Sequence, residues 1–194
     1  MPLTPITLQD AHVALEPLTL EHVPALEHAA ADGELWDLWF TSVPAPDAMR
    51  AYVEQALAMQ ADGDALAFAV RDKHDDRIVG STRLFGFDAA LPRVEIGYTW
   101  YARSRQRSHV NTACKRLLLG HAFDALHCAA VQFCTDRYNL ASQRAIERLG
   151  AQRDGILRAH RLRADRSVRD TVVYSIVASE WPDVRRLLTL KLDR

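Results

Sequence analysis

A change of hydrophobic period at Leu66 constrains the fold of this chain more than any other feature. Before it the chain reads as a short alternating strand, His12 to Pro17, and two helices. Thr19 is placed to cap the first, from Leu20 to about Ala31; the second runs from about Asp47 to Gln60 and closes at Asp62-Gly63. From Leu66 onward come three strand-like runs, Leu66–Arg71, Arg77–Phe87 and Arg93–Tyr101, the first two joined as a hairpin by the polar turn Lys73–Asp76. Helical spacing returns from Val110 to Leu126, through Val110, Cys114, Leu117, Leu118, Ala122, Ala125 and Leu126. A short apolar strand, Ala130–Thr135, and a helix from Leu140 to Leu149 stopped by Gly150 follow. Two strands joined by the turn Ala164–Ser167 and a terminal helix, Trp181–Leu190, complete the pattern. The expectation is an α/β fold: one mixed, mostly antiparallel sheet of about six to seven strands, flanked by helices on both faces. Ligands of such sheets favour the crevice at strand carboxyl ends.

No repeat, low-complexity tract or long linker divides the 194 residues, so one domain spanning 1–194 is expected. A formal charge of −1 gives no general attraction for nucleic acid or an anionic membrane. Charge is uneven, however, with Arg153, Arg158, Arg161, Arg163, Arg166 and Arg169 crowding one late segment. The three cysteines, Cys114, Cys128 and Cys134, lack metal-ligand spacing and read as small buried hydrophobes in a reducing compartment. Cys114 and Cys128 fall where helix is expected. His109, His121 and His127 likewise show no ligand spacing, and no metal is expected. No secretory signal or membrane-length apolar run is visible, which gives a cytoplasmic expectation.

The element order, and the residues between Glu95 and Gly150, resemble the GCN5-related N-acetyltransferase (GNAT) superfamily. Val94-Glu-Ile-Gly-Tyr-Thr-Trp-Tyr101, followed by a basic turn and a long helix, looks like that family's pyrophosphate-binding segment. Asn139, Ser142 and Gly150 match its spaced pattern of Asn, a small residue and a helix-ending Gly. The run from Asn139 to Ala151 is most similar to the RimJ/RimL-type branch, whose members acetylate protein N-termini or small amines. The likeness extends from His12 to Trp181. It implies a GNAT fold, acetyl-CoA as co-substrate, no metal, and a small-molecule or peptide amine as acceptor; a homodimer is left open. It also implies cofactor contacts from Tyr98, Thr99, Trp100, Arg107, Ser108, His109, Val110, Asn111 and Asn139.

One segment departs from the family. Its turn usually reads Q/R-x-x-G-x-G/A, and Ser104, Arg107 and His109 stand at the anchor positions. Backbone N–H groups and a helix N-terminus cradle the phosphates, so glycine mainly gives close approach. Another residue serves equally where the backbone fits without positive φ, and Arg107 would add a charge-assisted contact. Alternatively, a bulky side chain fills the phosphate space and leaves a GNAT-shaped protein that senses another acyl-CoA, or none.

Acyl transfer needs a neutral amine, a polarised thioester carbonyl and a proton for the departing thiolate. Glu95 is the candidate base, sharing a strand face with Gly97; the alternative is a carboxylate paired with Arg93 or Arg83. Gly97 itself marks a bulge or close approach, or makes room under an aromatic ring. Many GNATs protonate the thiolate with a Tyr seven residues after the Asn, where this chain has Ile146. Ser142 is the hydroxyl left on that helix face, to relay a proton or to serve the helix backbone. Asn139 holds the pantetheine by resemblance, or simply caps its helix. Trp36, Trp39 and Phe40 lie in the connection that covers the acceptor site in the family, or else staple two helices to the core. The arginines of the final strands face solvent or meet an acidic acceptor.

Overall fold

The computed structural model describes residues 3–163 and 165–193; Ala164, the first residue of the expected final turn, lies outside them. The sheet starts at Asp10. Its Oδ1 accepts the backbone N–H of His12 (2.8 Å) and Val13 (2.9 Å), which folds β1 (Leu8–Gln9) back on β2 (Val13–Pro17). This two-residue strand is the one the hydrophobic pattern misses, because two residues carry no period. With it, the sheet of the described residues has eight strands rather than six to seven.

After β2 come α1 (Val23–Ala31) and α2 (Met49–Ala61), then β3 (Ala65–Asp72), β4 (Arg77–Asp88) and β5 (Arg93–Tyr101). Then follow α3 (His109–Gly120), β6 (Ala130–Asp136), α4 (Leu140–Glu147), β7 (Gln152–Leu162), β8 (Val168–Val177) and α5 (Trp181–Leu192). The strand order is β1-β2-β3-β4-β5-β6-β8-β7, antiparallel except where β5 meets β6. Among the described residues, no helix is long and apolar enough to cross a membrane.

Alternation along β3 builds two cores at once. Leu66, Phe68 and Val70 face the side packed by α3, α4 and α5, while Ala67 and Ala69 face α1 and α2. Small residues on the second face let those two helices sit close. The expected helix to Leu126 differs in its last part: α3 gives way to a π-helical turn, His121–Ala125, whose Phe123 stacks on Trp181 (centroids 5.5 Å apart). Cys128 therefore lies in the following loop and not in a helix, although it is buried there.

Two irregularities of β5 position everything that follows. Its parallel pairing with β6 covers only Arg93 to Glu95, opposite Ala130 to Gln132. Beyond that point β5 stays with β4, while β6 stays with β8 as far as Asp136, so the sheet opens into a wedge. Against β4 the register jumps from Ser81 opposite Trp100 to Arg83 opposite Gly97. The extra residue is accommodated as a bulge with Tyr98 at φ 50°.

Gly80 lets β4 follow this bent partner, since a Cβ there would sit 2.1 Å from the Trp100 carbonyl oxygen. Gly80→Ala is expected to cost at least about 1–3 kcal/mol, the range for forced overpacking. Gly155→Ala in β7, where nothing lies within 4 Å of the added carbon, should change stability by less than about 0.5 kcal/mol. Urea midpoints of the two variants against wild type check the pair.

Candidate active site

The wedge opens at the carboxyl ends of β5 and β6, where α3 and α4 begin. Ser108 caps α3, its Oγ accepting the Val110 N–H (3.3 Å) and donating to the Arg105 carbonyl (2.6 Å). Asn139 caps α4 through Oδ1, which accepts the Ser142 N–H (3.0 Å). Arg148 ties the two helices together by donating to Thr112 Oγ1 (3.1 Å). Two helix N-termini at one opening present unpaired amides and the positive ends of two dipoles, an arrangement suited to an anion.

On the α3 side a lysine crosses the wedge. Lys115 is 5% exposed. Its Nζ donates to Thr99 Oγ1 on β5 (2.7 Å), which is also 2.7 Å from Thr82 Oγ1 on β4. The same nitrogen lies 6.0 Å from the centroid of Phe133 on β6. No carboxylate of the described residues pairs with it. Burial pushes its pKa down to about 7, because desolvation penalises the ammonium.

On the opposite face, Glu95 sits at the last paired position before the strands part. Its side chain is 15% exposed, with Arg161 Nη2 at 3.8 Å. Burial raises its pKa, while Arg161, the Cys134 thiol and Arg169 pull it back. Arg163 is 9% exposed, donates from Nε to buried Asp136 (2.9 Å), and lays its guanidinium 4.7 Å above the Trp39 ring. Trp39, itself 55% exposed, also meets Phe40 and Tyr138 at 5.5 and 5.4 Å. Arg169 lies among Asp136, Arg161, Arg163 and Cys134, with Nε buried and unpaired. This face therefore joins a carboxylate at a strand opening to an aromatic wall with an excess of guanidinium groups.

The family description "Acetyltransferase (GNAT) domain" matches residues 12–152. The chain belongs to the GNAT acetyltransferase family. Among solved structures, a provisionally assigned acetyltransferase from T. thermophilus is similar over 99% of this chain and 100% of its own, at 35% identity and a TM-score of 0.87. A GCN5-related N-acetyltransferase from Brucella melitensis covers 99% of this chain and 87% of its own, at 27% identity and a TM-score of 0.87. RimJ of Mycobacterium smegmatis, solved with CoA-disulfide, shares the fold at 22% identity, a TM-score of 0.78, and 98% and 95% coverage. Comparison with curated proteins gives no match.

Within this GNAT frame the expected site residues divide. Thr99, Ser108, Asn139 and Ser142 border the wedge, and the half-buried Asn111 lies in the first turn of α3. Tyr98 borders it by its backbone only: its ring turns to the other face, 4.1 Å from the Arg83 guanidinium and 5.2 Å from Phe85. Trp100 is buried against α1 and α2, and Val110 is buried in the other core, so neither side chain reaches the opening. His109 turns away, bonding Asp72 Oδ1 (3.1 Å) and stacking on His74 at 4.1 Å. That contact brings donor atoms of Asp72, His74 and His109 within 4.8 Å of one another, a cluster that sequence spacing does not reveal. Asp72 is already engaged there by Arg105 as well (3.1 Å).

Glu95 pairs with neither Arg93 nor Arg83, and Arg161 was the partner the sequence left unnamed. Gly97 makes room for an aromatic ring, since a Cβ would meet Phe85 at 2.9 Å. Trp36 packs against the helix core as a staple, while Trp39 and Phe40 join the exposed aromatic wall. Lys115, Thr82, Tyr138 and Arg163 escape a reading by motif. For Lys115 the available signal is a lysine beside the apolar stripe of α3.

The turn itself corrects one expectation. Arg107 has φ 61°, so the backbone does take the left-handed shape that glycine favours, at a cost of roughly 1–2 kcal/mol for a residue with Cβ. Its side chain is exposed and has no partner among the described residues. Arg107→Gly should therefore fold with wild-type stability to within about 1 kcal/mol, strain relief offsetting the added chain entropy. Arg107→Val should lose a further ~1 kcal/mol or more, because branching makes positive φ costlier. Thermal unfolding of both variants tests this.

Lys115 gives a second prediction with a definite sign. Unfolded, the amine titrates near 10.5; folded, at about 7. Between these values the unfolded chain binds the extra proton, so stability rises with pH across that window. Lys115→Met should raise Tm at pH 7 and flatten the rise between pH 7 and 10, read by calorimetry against wild type.

Proposed function

We propose that the protein transfers an acetyl group from acetyl-CoA to the α-amino group of an acceptor that also carries an acidic group. An amino-acid-like compound, or a peptide or protein N-terminus with an acidic side chain nearby, has that chemistry; the RimJ/RimL-type branch acetylates protein N-termini or small amines. The observation that carries this reading is the position of Glu95: half-sheltered at the start of the wedge, beside Arg161 and Arg169, whose neighbour Arg163 lies on the Trp39 ring next to Phe40 and Tyr138.

The amides of the Arg107–Asn111 turn and the α3 dipole would hold the CoA diphosphate, with Arg107 free to add a charged contact. The pantetheine arm would lie in the wedge, where the Asn139 amide nitrogen and the Ser142 hydroxyl carry no partner among the described residues. Asn139 thus keeps a donor for a ligand even while its oxygen caps α4. The acceptor amine would approach from the Glu95 face, and Glu95, or a water it orders, would take its proton. Burial strengthens Glu95 as a base by raising its pKa. Surplus positive charge from Arg161 and Arg169 would meet the acceptor's carboxylate. An α-amine is already partly neutral near pH 7.7–8.0, by its reference pKa, which suits a site with one carboxylate base. The three free thiols suit a reducing, cytoplasmic setting.

A panel of amines at fixed acetyl-CoA tests the proposal. Acidic α-amines should give the highest kcat/KM, and Glu95→Gln should lower kcat by about 10²-fold or more. Preference for polyamines or lysine side chains, with activity still climbing above about pH 9, overturns it. Desulfo-CoA should raise Tm, since the diphosphate supplies the anchor.

A further inference from the structure

Lys115 is the polar side chain at the wedge that the proposed reaction leaves without a task. It reaches from α3 to both lips of the opening, hydrogen-bonded to Thr99 on β5 and set against Phe133 on β6. An ammonium has three protons to donate. One meets Thr99; no acceptor among the described residues takes the others. A methionine or leucine would fill the same space without the cost of burying a charge that has no counter-ion. A buried lysine retained on those terms, at an opening between strands, marks a functional position.

We propose that Lys115 donates the proton to the departing CoA thiolate, in place of the tyrosine whose position Ile146 holds. This assignment rests on the acetyl-CoA reading of the wedge. Ile146 itself is buried in the core beneath α4. Ser142 Oγ, the hydroxyl that α4 does carry, is a poor acid.

The step balances. The acceptor nitrogen bonds to the acetyl carbon, and the carbon–sulfur bond breaks with its electron pair on sulfur. Lys115 Nζ gives that sulfur a proton, while Glu95 takes one from the acceptor nitrogen. Solvent then reprotonates the amine and deprotonates the carboxyl. A thiol titrates near ~8.5, so an ammonium near neutrality delivers its proton downhill. Burial supplies that match, holding Lys115 at about 7. The groups facing it do not compete. Cys114 on the same helix is pushed up to about 12 and stays a neutral thiol. β4 and β5 present the Thr82 and Thr99 hydroxyls, and β6 presents the Phe133 ring.

Two variants and two readouts test the assignment. Lys115→Met removes the proton, and Lys115→Arg keeps a charge that does not leave its guanidinium. Wild-type kcat should fall as pH rises past about 7 to 8, because the acid must be protonated. Both variants should lose about 10²-fold in kcat and lose that descending limb. Titrating the thiolate absorbance of bound CoA needs no acceptor: thiolate should appear at lower pH in wild type than in Lys115→Met, since the lysine shares its proton. Desulfo-CoA should bind both variants as tightly as wild type, which shows the site intact. Wild-type kcat and an unchanged alkaline limb in the variants overturn the proposal. So does a fall in kcat that comes with lost desulfo-CoA binding and no change in the thiolate titration. If wild type itself neither binds CoA nor turns over acetyl-CoA, the function proposed above fails, and this assignment with it.

Discussion

The parting of β5 from β6 after three paired residues is the constraint on which the rest of this structure depends. Each strand keeps its outer neighbour, so the sheet is not broken at its edges but opened in its middle. Beyond Glu95 and Gln132, the strand edges that face each other have no sheet partner among the described residues, and buried backbone groups left so are costly. The opening therefore favours a polar occupant. The bulge at Tyr98 and the tight passage of Gly80 past the Trp100 carbonyl bend β5 away and hold it there. Without those two features β5 would continue alongside β6, and the two helix N-termini would face a closed sheet.

Around that opening the charges do not follow the chain's overall balance. The formal charge is −1, yet Lys115 is buried without a carboxylate, and Arg83 lies between the Tyr52 and Tyr98 rings with its Nε unpaired. Arg169 repeats the pattern beside Glu95. Each such group costs folding energy unless something compensates it. Rings supply part of that for Arg83, through contacts of 4.5 and 4.1 Å to their centroids. The remaining surplus sits where the proposed reaction brings a diphosphate to one side of the sheet and a carboxylate to the other. Net charge gives no general electrostatic reason to expect nucleic acid as a partner, but it hides this local excess.

Much of the framework was legible because period-2 and period-3.6 patterns survive in the sequence, and β5 was placed with its observed limits. The cap at Asn139 and the shared face of Glu95 and Gly97 were also readable, since both rest on local geometry. What escaped depends on chain segments that meet only after folding. Lys115 follows Cys114 on α3 and reads as part of a solvated helix flank; its burial shows only once α3 packs it against Thr99 of β5 and Phe133 of β6. Arg163 reads as one more arginine of an exposed hairpin until Asp136, at the far end of β6, pairs with it. Tyr98 and Trp100 were assigned to the cofactor by their place in a motif. The bulge sends their rings to the face opposite the one Thr99 takes.

The altered turn shows how a motif and its physical function can separate. Glycine in the family pattern provides a backbone shape and close approach, and a comparison of motifs registers its loss as three changed anchors. Here the shape persists at Arg107, whose φ of 61° is imposed by the flanking geometry: the Ser108 cap on one side and the short turn Arg103–Arg105 on the other. A strained residue of this kind persists only where its surroundings over-determine it. His109, the other bulky replacement, is drawn off toward Asp72 and does not fill the space before α3. The two bulky side chains thus leave the space before α3 by different routes, one exposed and one tethered. What remains at the helix start is a row of amides and a dipole, which need no particular side chain to attract an anion.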